Sequence, residues 1–129
     1  MTEHGLKILV VDDEVEMLHS LRDSLQTYGY SVVTAEDGIS AVELARAEMP
    51  NLILLDLMLP TLDGYRVLKL LKADERYRKI PIIVITARAS AEDWALAVEC
   101  GADGCLTKPV KVDGLLERIR SVLGNGNGH

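Results

Sequence analysis

Two apolar patterns alternate along the chain. Short apolar, β-branched runs lie at residues 8–11, 32–34, 52–55, 82–85 and, more weakly, 105–107. Three of them are continuously apolar, which is typical of parallel strands covered on both faces. Between the runs, apolar residues recur every three or four positions, which predicts five helices. These stripes are Leu18, Leu21, Leu25 and Tyr28 before Gly29; Ala41, Leu44 and Ala45; Val67, Leu68 and Leu71; the Ala-rich segment 91–100; and Val112, Leu115, Leu116, Ile119 and Val122.

Alternation of five strands with five helices predicts an α/β protein. Such a chain folds as a three-layer α/β/α sandwich around an all-parallel sheet, and right-handed crossovers leave few topologies. The 129 residues, of which 48% are hydrophobic, suffice for one domain with a proper core. We expect that domain at residues 5–123 and a flexible Gly/Asn tail at 124–129.

Charge and composition exclude several classes of function. A net charge of −6 without a Lys/Arg cluster argues against direct contact with nucleic acid. No apolar run approaches the length of a membrane span, and the N-terminus does not resemble a secretory signal. Cys100 and Cys105 are too few for a disulfide scaffold and lack metal-ligand spacing, so we expect two reduced thiols. These features predict a cytoplasmic protein that does not contact a membrane.

Asp56 interrupts the most apolar segment of the chain, LILLDLMLP at residues 52–60. A carboxylate in such a run is costly to bury unless it is paired, protonated or bound to a cation. Ligands of doubly wound sheets bind beyond the carboxyl ends of the strands. At the same edge, the first predicted strand is followed by Asp12-Asp13, the fourth by Thr86-Ala87 and the fifth by Lys108-Pro109. If the first and third strands are neighbours, three carboxylates converge on one cleft.

This set of side chains favours phosphoryl chemistry. Crowded carboxylates cannot all stay ionised without a cation, and a hard divalent ion with oxygen ligands, such as Mg²⁺, resolves the conflict. Mg²⁺ is usually shared between carboxylates and a phosphate. A lysine and a threonine at the same edge add an ammonium and a hydroxyl, which together with the metal could hold a phosphoryl group while a carboxylate attacks phosphorus.

From Lys7 to Leu123 the sequence resembles the receiver domains of response regulators in two-component signalling. The resemblance rests on Asp12-Asp13, Asp56 to Pro60, Asp63-Gly64, Thr86-Ala87 and Lys108-Pro109, in this order and spacing. It implies a flavodoxin-like sheet of strand order 2-1-3-4-5. It also implies that Asp56 accepts a phosphoryl group from a histidine kinase or phosphotransfer protein. Such a chain is not an enzyme beyond catalysing its own phosphorylation and dephosphorylation, and it acts on a downstream protein through altered contacts.

The resemblance also implies a metal site and a lifetime for the phosphorylated state. Asp13, Asp56 and the backbone carbonyl of Met58 would ligate Mg²⁺, and Asp12 would do so directly or through water. Met58 and Arg88 flank the approach of the hydrolytic water. Because the side chain of Met58 cannot orient a water, we expect slow self-dephosphorylation.

The same resemblance assigns the residues that bind the phosphoryl group and transmit the signal. Thr86, with Ala87, and Lys108 would contact phosphoryl oxygens, and a cis bond to Pro109 would fix the approach of the lysine. Thr86 would move inward on activation. Receivers usually carry an aromatic residue three positions before the lysine, where this chain has Cys105. The usual threonine–aromatic switch therefore cannot operate in its ordinary form.

The output face also departs from the family. Receivers of winged-helix transcription factors dimerise through three cross-subunit ion pairs, and of those positions only Glu99 and Arg120 keep suitable charges. Trp94, Gly104 and Gly114 replace members of the other two pairs. We expect a monomer or a weak dimer, with Trp94 either anchoring a different partner or packing internally.

Other interpretations of the same residues are open. Asp12 and Asp13 could cap the first helix, and Thr86 could be an ordinary strand end. An aspartyl-phosphate enzyme of the haloacid-dehalogenase type would need a second Asp where Met58 stands, and no glycine-rich nucleotide-binding motif is present. The main alternative function is a receiver-like binding module that works without phosphorylation.

Overall fold

Five parallel strands form one sheet in this computed structural model, which describes residues 5–87 and 90–124. The strands are β1 (Lys7–Val11), β2 (Ser31–Ala35), β3 (Leu52–Asp56), β4 (Ile82–Thr86) and β5 (Gly104–Thr107). Their order is β2-β1-β3-β4-β5, and every neighbouring pair is parallel. The predicted fold class and strand order are confirmed.

The helices follow the strands one by one. They are α1 (Val15–Thr27), α2 (Gly38–Glu48), α3 (Gly64–Ala73), α4 (Ala91–Glu99) and α5 (Val112–Gly124). One buried apolar cluster joins one face of the sheet to α2, α3 and α4, and a second joins the opposite face to α1 and α5. Alternate residues of each central strand enter opposite clusters, as Leu54 and Leu55 do. Burial on both faces explains why the central strands are continuously apolar.

Two helix ends, those of α1 and α5, differ from the sequence-based expectation. α1 ends at Thr27, so Tyr28 is 44% exposed instead of lying on the buried stripe. Gly29 adopts φ +97°, which turns the chain and brings Tyr30 into the core instead. Gly124, expected in the tail, is the last residue of α5, and residues 125–129 of that tail lie outside the described part of the chain.

Two expectations from composition can be compared with the structure. Cys100 and Cys105 are free thiols, and burial raises the pKa of Cys105. No helix among residues 5–87 and 90–124 is long and apolar enough to cross a membrane.

Candidate functional site

Asp12, Asp56 and Thr86 are the buried polar or charged residues among those that the structure describes, each no more than 2% exposed as a whole residue. All three lie at the carboxyl edge of the sheet. Asp56 and Thr86 are the last residues of β3 and β4, and Asp12 directly follows β1. β1 and β3 are neighbours, as are β3 and β4. The fold thus brings these side chains to one edge, as the order of the strands requires.

Three carboxylates meet at this edge. Oxygen atoms of Asp12, Asp13 and Asp56, one from each side chain, all lie within 4.8 Å of one another. Asp12 Oδ1 accepts a hydrogen bond from the Glu14 backbone N–H at 2.9 Å. The buried Asp12 Oδ2 has no partner in hydrogen-bonding geometry, although Lys108 Nζ lies 3.2 Å away. A buried carboxylate oxygen in this condition is the feature that a bound cation would satisfy.

Lys108 supplies the positive charge of the cleft. Its Nζ lies 3.2 Å from Asp56 Oδ2 and 2.7 Å from Glu14 Oε1, and its side chain is 16% exposed. The Lys108 backbone N–H donates to the Thr86 carbonyl at 2.9 Å, which holds the start of the Lys108 loop against the end of β4. The Lys108–Pro109 bond is cis, as the resemblance to receiver domains predicted.

The loop after β3 holds the Asp56 carboxylate in place. The Met58 backbone N–H donates to Asp56 Oδ1 at 3.0 Å, and the Met58 side chain is 53% exposed. The loop returns to α3 at Gly64, whose N–H donates to the Leu57 carbonyl at 3.1 Å. A Cβ on Gly64 would lie 2.5 Å from Leu57 Cα and 2.6 Å from the Asp56 carbonyl oxygen, so glycine is required for this close approach.

Burial and unbalanced negative charge both shift the pKa values at this edge. Burial, together with the nearby charge of Asp12, raises the pKa of Asp56 to about 6, although Met58 and Lys108 act in the opposite direction. Burial alone would lower the pKa of Lys108. Its hydrogen bond to Glu14, the charge of Asp56 and the close contact with Asp12 outweigh that effect and hold the pKa of Lys108 above its usual value. Lys108 therefore stays protonated at neutral pH, whereas the Asp56 carboxylate is costly to ionise because it is buried and lies beside Asp12.

The residues that the sequence predicted for the site lie at one edge of the sheet. Asp12, Asp13, Asp56 and Lys108 come together, and Thr86 lies at the same edge. The helix-capping alternative for Asp12 and Asp13 is wrong, because the first-turn acid of α1 is Glu16 and its N-cap is Glu14. Asp12 accepts a hydrogen bond from that residue and faces the cleft as well.

The expected output residues lie around this edge. Ala87 is exposed directly after β4, and Cys105 is buried in β5 beside Val84. Trp94 lies on α4 and is 37% exposed. Arg88, expected to flank the cleft, lies outside the described residues.

Sequence reasoning missed one residue of the cleft, Glu14. Its carboxylate makes the shortest contact of Lys108, at 2.7 Å. The only signal in the sequence was its position directly after the Asp-Asp pair.

Comparison with known families agrees with this geometry. The response regulator receiver domain model matches residues 8–120. The chain belongs to the receiver domain family. It is thus a receiver domain of the response regulators of two-component systems, a family whose members are partners of histidine kinases and bind Mg²⁺ at an acidic cluster of this kind.

Relatives of this receiver domain include transcriptional regulators. It is 43% identical over 117 residues to the probable transcriptional regulator ycf27 of Porphyridium aerugineum, covering 91% of this chain and 48% of that protein. It is 40% identical over 117 residues to the DNA-binding dual master transcriptional regulator RpaA of Synechocystis sp., with the same coverages. The chain spans about half the length of the curated relatives it matches. The expected absence of nucleic-acid contact stays a prediction for this chain.

Solved receiver domains share the fold. The receiver domain of the sensor histidine kinase PA1611 from Pseudomonas aeruginosa PAO1 superposes with a TM-score of 0.87 and is 34% identical, covering 94% of this chain and 99% of that one. That structure holds a magnesium ion coordinated in its active-site cleft.

Proposed function

We propose that this receiver domain takes a phosphoryl group onto Asp56 from a histidine kinase or phosphotransfer protein, with Mg²⁺ in the cleft. The phosphorylated form then signals through altered contacts with a downstream protein. One observation carries the proposal. Carboxylate oxygens of Asp12, Asp13 and Asp56 lie within 4.8 Å of one another, and the Lys108 ammonium lies 3.2 Å from two of these residues, at the edge where ligands of this fold bind.

The donor set fits a magnesium ion. Asp12, Asp13 and Asp56 offer hard oxygen ligands, and the Met58 backbone carbonyl follows in the loop after β3. The buried Asp12 Oδ2 has no partner in hydrogen-bonding geometry, which supports a cation at this position. When bound, Mg²⁺ would supply positive charge to the carboxylates and to phosphoryl oxygens. The magnesium ion in the PA1611 receiver domain supports the same assignment.

The side chains of the cleft have separate roles in the transfer. An Asp56 carboxylate oxygen attacks phosphorus and forms the new P–O bond, while the bond from phosphorus to the donor breaks and the leaving group takes its electron pair. Lys108 Nζ, 3.2 Å from Asp56 Oδ2, donates to a phosphoryl oxygen and stabilises its charge. The buried position of Thr86 at the end of β4 suits its hydroxyl to a second oxygen.

Output would follow from movement at the same edge. Thr86 would shift toward the phosphoryl group, and α4 begins shortly after it in the chain. Cys105 is too small to act as the usual aromatic switch. The movement of Thr86 would instead reach the downstream partner through Trp94 of α4, which is partly exposed and could anchor that partner. We infer a monomer or weak dimer, because only Glu99 and Arg120 keep suitable charges for the three ion pairs that join winged-helix-type receiver dimers.

Acetyl phosphate with Mg²⁺ tests the proposal directly. The wild-type chain should gain one phosphoryl mass, Asp56→Asn should gain none, and Asp23→Asn, an exposed substitution on α1, should behave like wild type. Mass spectrometry of intact protein gives the readout. Phosphorylation of Asp56→Asn would disprove the site, and an unmodified wild type would favour the phosphorylation-independent binding module.

A further inference from the structure

Glu14 differs from the other acidic residues around Lys108. Its Oε1 lies 2.7 Å from Lys108 Nζ, whereas Asp12 Oδ2 and Asp56 Oδ2 each lie at 3.2 Å. The Glu14 side chain is 61% exposed, while those of Asp12 and Asp56 are 1% and 3% exposed. The closest partner of the lysine is thus the one that solvent can hydrate most readily.

The backbone at Glu14 is fixed even though its side chain is exposed. Its N–H donates to Asp12 Oδ1 at 2.9 Å, and its carbonyl accepts from the Leu18 N–H at 2.9 Å as α1 begins. These bonds hold the Glu14 Cα at the rim of the cleft. Only rotation of the side chain is needed to make or break its contact with Lys108.

The ammonium of Lys108 has three N–H donors and three carboxylate neighbours. A phosphoryl oxygen on Asp56 needs one of those donors. Asp12 and Asp56 are buried, so loss of the lysine would leave a carboxylate desolvated without its partner. Glu14 can give up its contact with Lys108 at little cost, because water hydrates its exposed carboxylate and an ion pair with an exposed partner contributes little to stability.

We propose that Glu14 is a positioning residue that competes with the phosphoryl group for Lys108. In the resting protein it draws the ammonium toward the rim, and it must give up this contact before Lys108 can stabilise the transferred group. Glu14 therefore slows phosphorylation of Asp56. This inference rests on the function proposed above.

Phosphorylation rates of two matched variants test this competition. Glu14→Gln keeps the size of the side chain but removes its charge, and Glu16→Gln removes an exposed charge from the first turn of the same helix without touching Lys108. With acetyl phosphate and saturating Mg²⁺, Glu14→Gln should be phosphorylated about two- to fivefold faster than wild type, the range expected for an ion pair with one exposed partner. Glu16→Gln should keep the wild-type rate.

The other outcomes separate this inference from the proposed function. Slower phosphorylation of Glu14→Gln would mean that Glu14 holds Lys108 in place for the reaction. Equal phosphorylation rates in Glu14→Gln and Glu16→Gln would mean that the contact with Lys108 has no specific effect on the rate. Either result overturns the proposed competition. Absence of phosphorylation in every protein, wild type included, would overturn the proposed function and this inference together.

The contact itself can be measured in the unphosphorylated protein. The NMR signal of the Lys108 ammonium should shift in Glu14→Gln and stay in place in Glu16→Gln. An unshifted signal in Glu14→Gln would show that the contact is not populated in solution, which overturns the proposal even if the rates differ.

Discussion

The side chain of Lys72, on α3, reaches the amino ends of β4 and β5, whereas Lys108 follows the carboxyl end of β5. The two side chains are equally shielded, at 17% and 16% exposed, but their partners differ. At the amino edge, Lys72 Nζ donates to the carbonyls of Arg78 at 3.0 Å and Ile80 at 2.9 Å, and to Asp103 Oδ2 at 2.9 Å. The same Asp103 oxygen accepts the Ile82 N–H at 2.8 Å. One ammonium thus meets one carboxylate and neutral carbonyls.

At the carboxyl edge, Lys108 faces three carboxylates, and Asp13 adds a fourth close by. Burial and the nearby charge of Asp12 raise the pKa of Asp56, and Asp12 Oδ2 has no partner in hydrogen-bonding geometry. Balanced charge is what a structural ion pair needs, and a surplus of carboxylates is what a cation and a phosphoryl group require. The comparison indicates that Lys72 stabilises the fold, whereas Lys108 is placed to bind the phosphoryl group.

Removal of each lysine should have a different consequence. Lys108→Met should slow phosphorylation of Asp56 about 100-fold or more, the usual effect of removing a donor to a developing charge. Lys72→Met should keep a nearly wild-type rate but lower the free energy of unfolding by about 1–3 kcal/mol, because Asp103 and two carbonyls lose a charged donor. Mass spectrometry and urea unfolding at saturating Mg²⁺ provide the two readouts. Equal losses of rate in the two variants would abolish the distinction.

The same Asp→Asn substitution should have opposite effects on stability at the two edges. In the metal-free protein near neutral pH, Asp56→Asn should raise the free energy of unfolding by up to about 3 kcal/mol, because the pKa of Asp56 is raised to about 6 by burial. Asp103→Asn should lower it by about 1–3 kcal/mol through its weaker bond to Lys72.

The sign of the Asp56 effect can be followed with pH. Between pH 3.8 and about 6 the folded state keeps a proton on Asp56 that the unfolded state has released, so wild-type stability falls as pH rises through this range. The Asp56→Asn advantage should vanish below that range and shrink when Mg²⁺ is added. Urea unfolding across pH measures it, and an advantage that is constant with pH would contradict the burial argument.

Magnesium should affect only the carboxyl edge. It should raise the melting temperature of the wild type by binding the folded state, and Asp13→Ala should increase the Mg²⁺ concentration required by about tenfold or more. Lys72→Met should retain the wild-type Mg²⁺ dependence despite its lower stability. Thermal unfolding over a Mg²⁺ series gives the result, and an unchanged dependence in Asp13→Ala would remove Asp13 from the ligand set.

The smallest expected effect concerns two exposed methionines. Met58→Asn should speed decay of the aspartyl phosphate by about two- to tenfold, the worth of one hydrogen bond that orients a water. Met49→Asn is the control, because Met49 is 51% exposed at the end of α2 and its φ of +45° suits asparagine. Decay followed by mass spectrometry should be unchanged in the control. No acceleration in Met58→Asn would mean that this position does not control the hydrolytic water.

The sequence by itself determined the layered architecture and the nucleophile. Continuous apolar runs predicted strands buried on both faces, and residues 52–55 and 82–85 are buried throughout. A carboxylate at the end of such a run needs a partner, a proton or a cation, and this cost of burial singled out Asp56. These inferences succeed because periodicity and burial cost act on each segment locally.

Only the tertiary structure decided which charges meet. Glu14 and Lys108 are 94 residues apart in the chain, and Lys72 and Asp103 are 31 apart. The local pattern does not tell which charged residues of different elements will pair, because pairing depends on strand order, register and side-chain reach. Tyr28, expected on the buried stripe, is exposed and Tyr30 is buried instead, because the turn at Gly29 determined which of them faces the core.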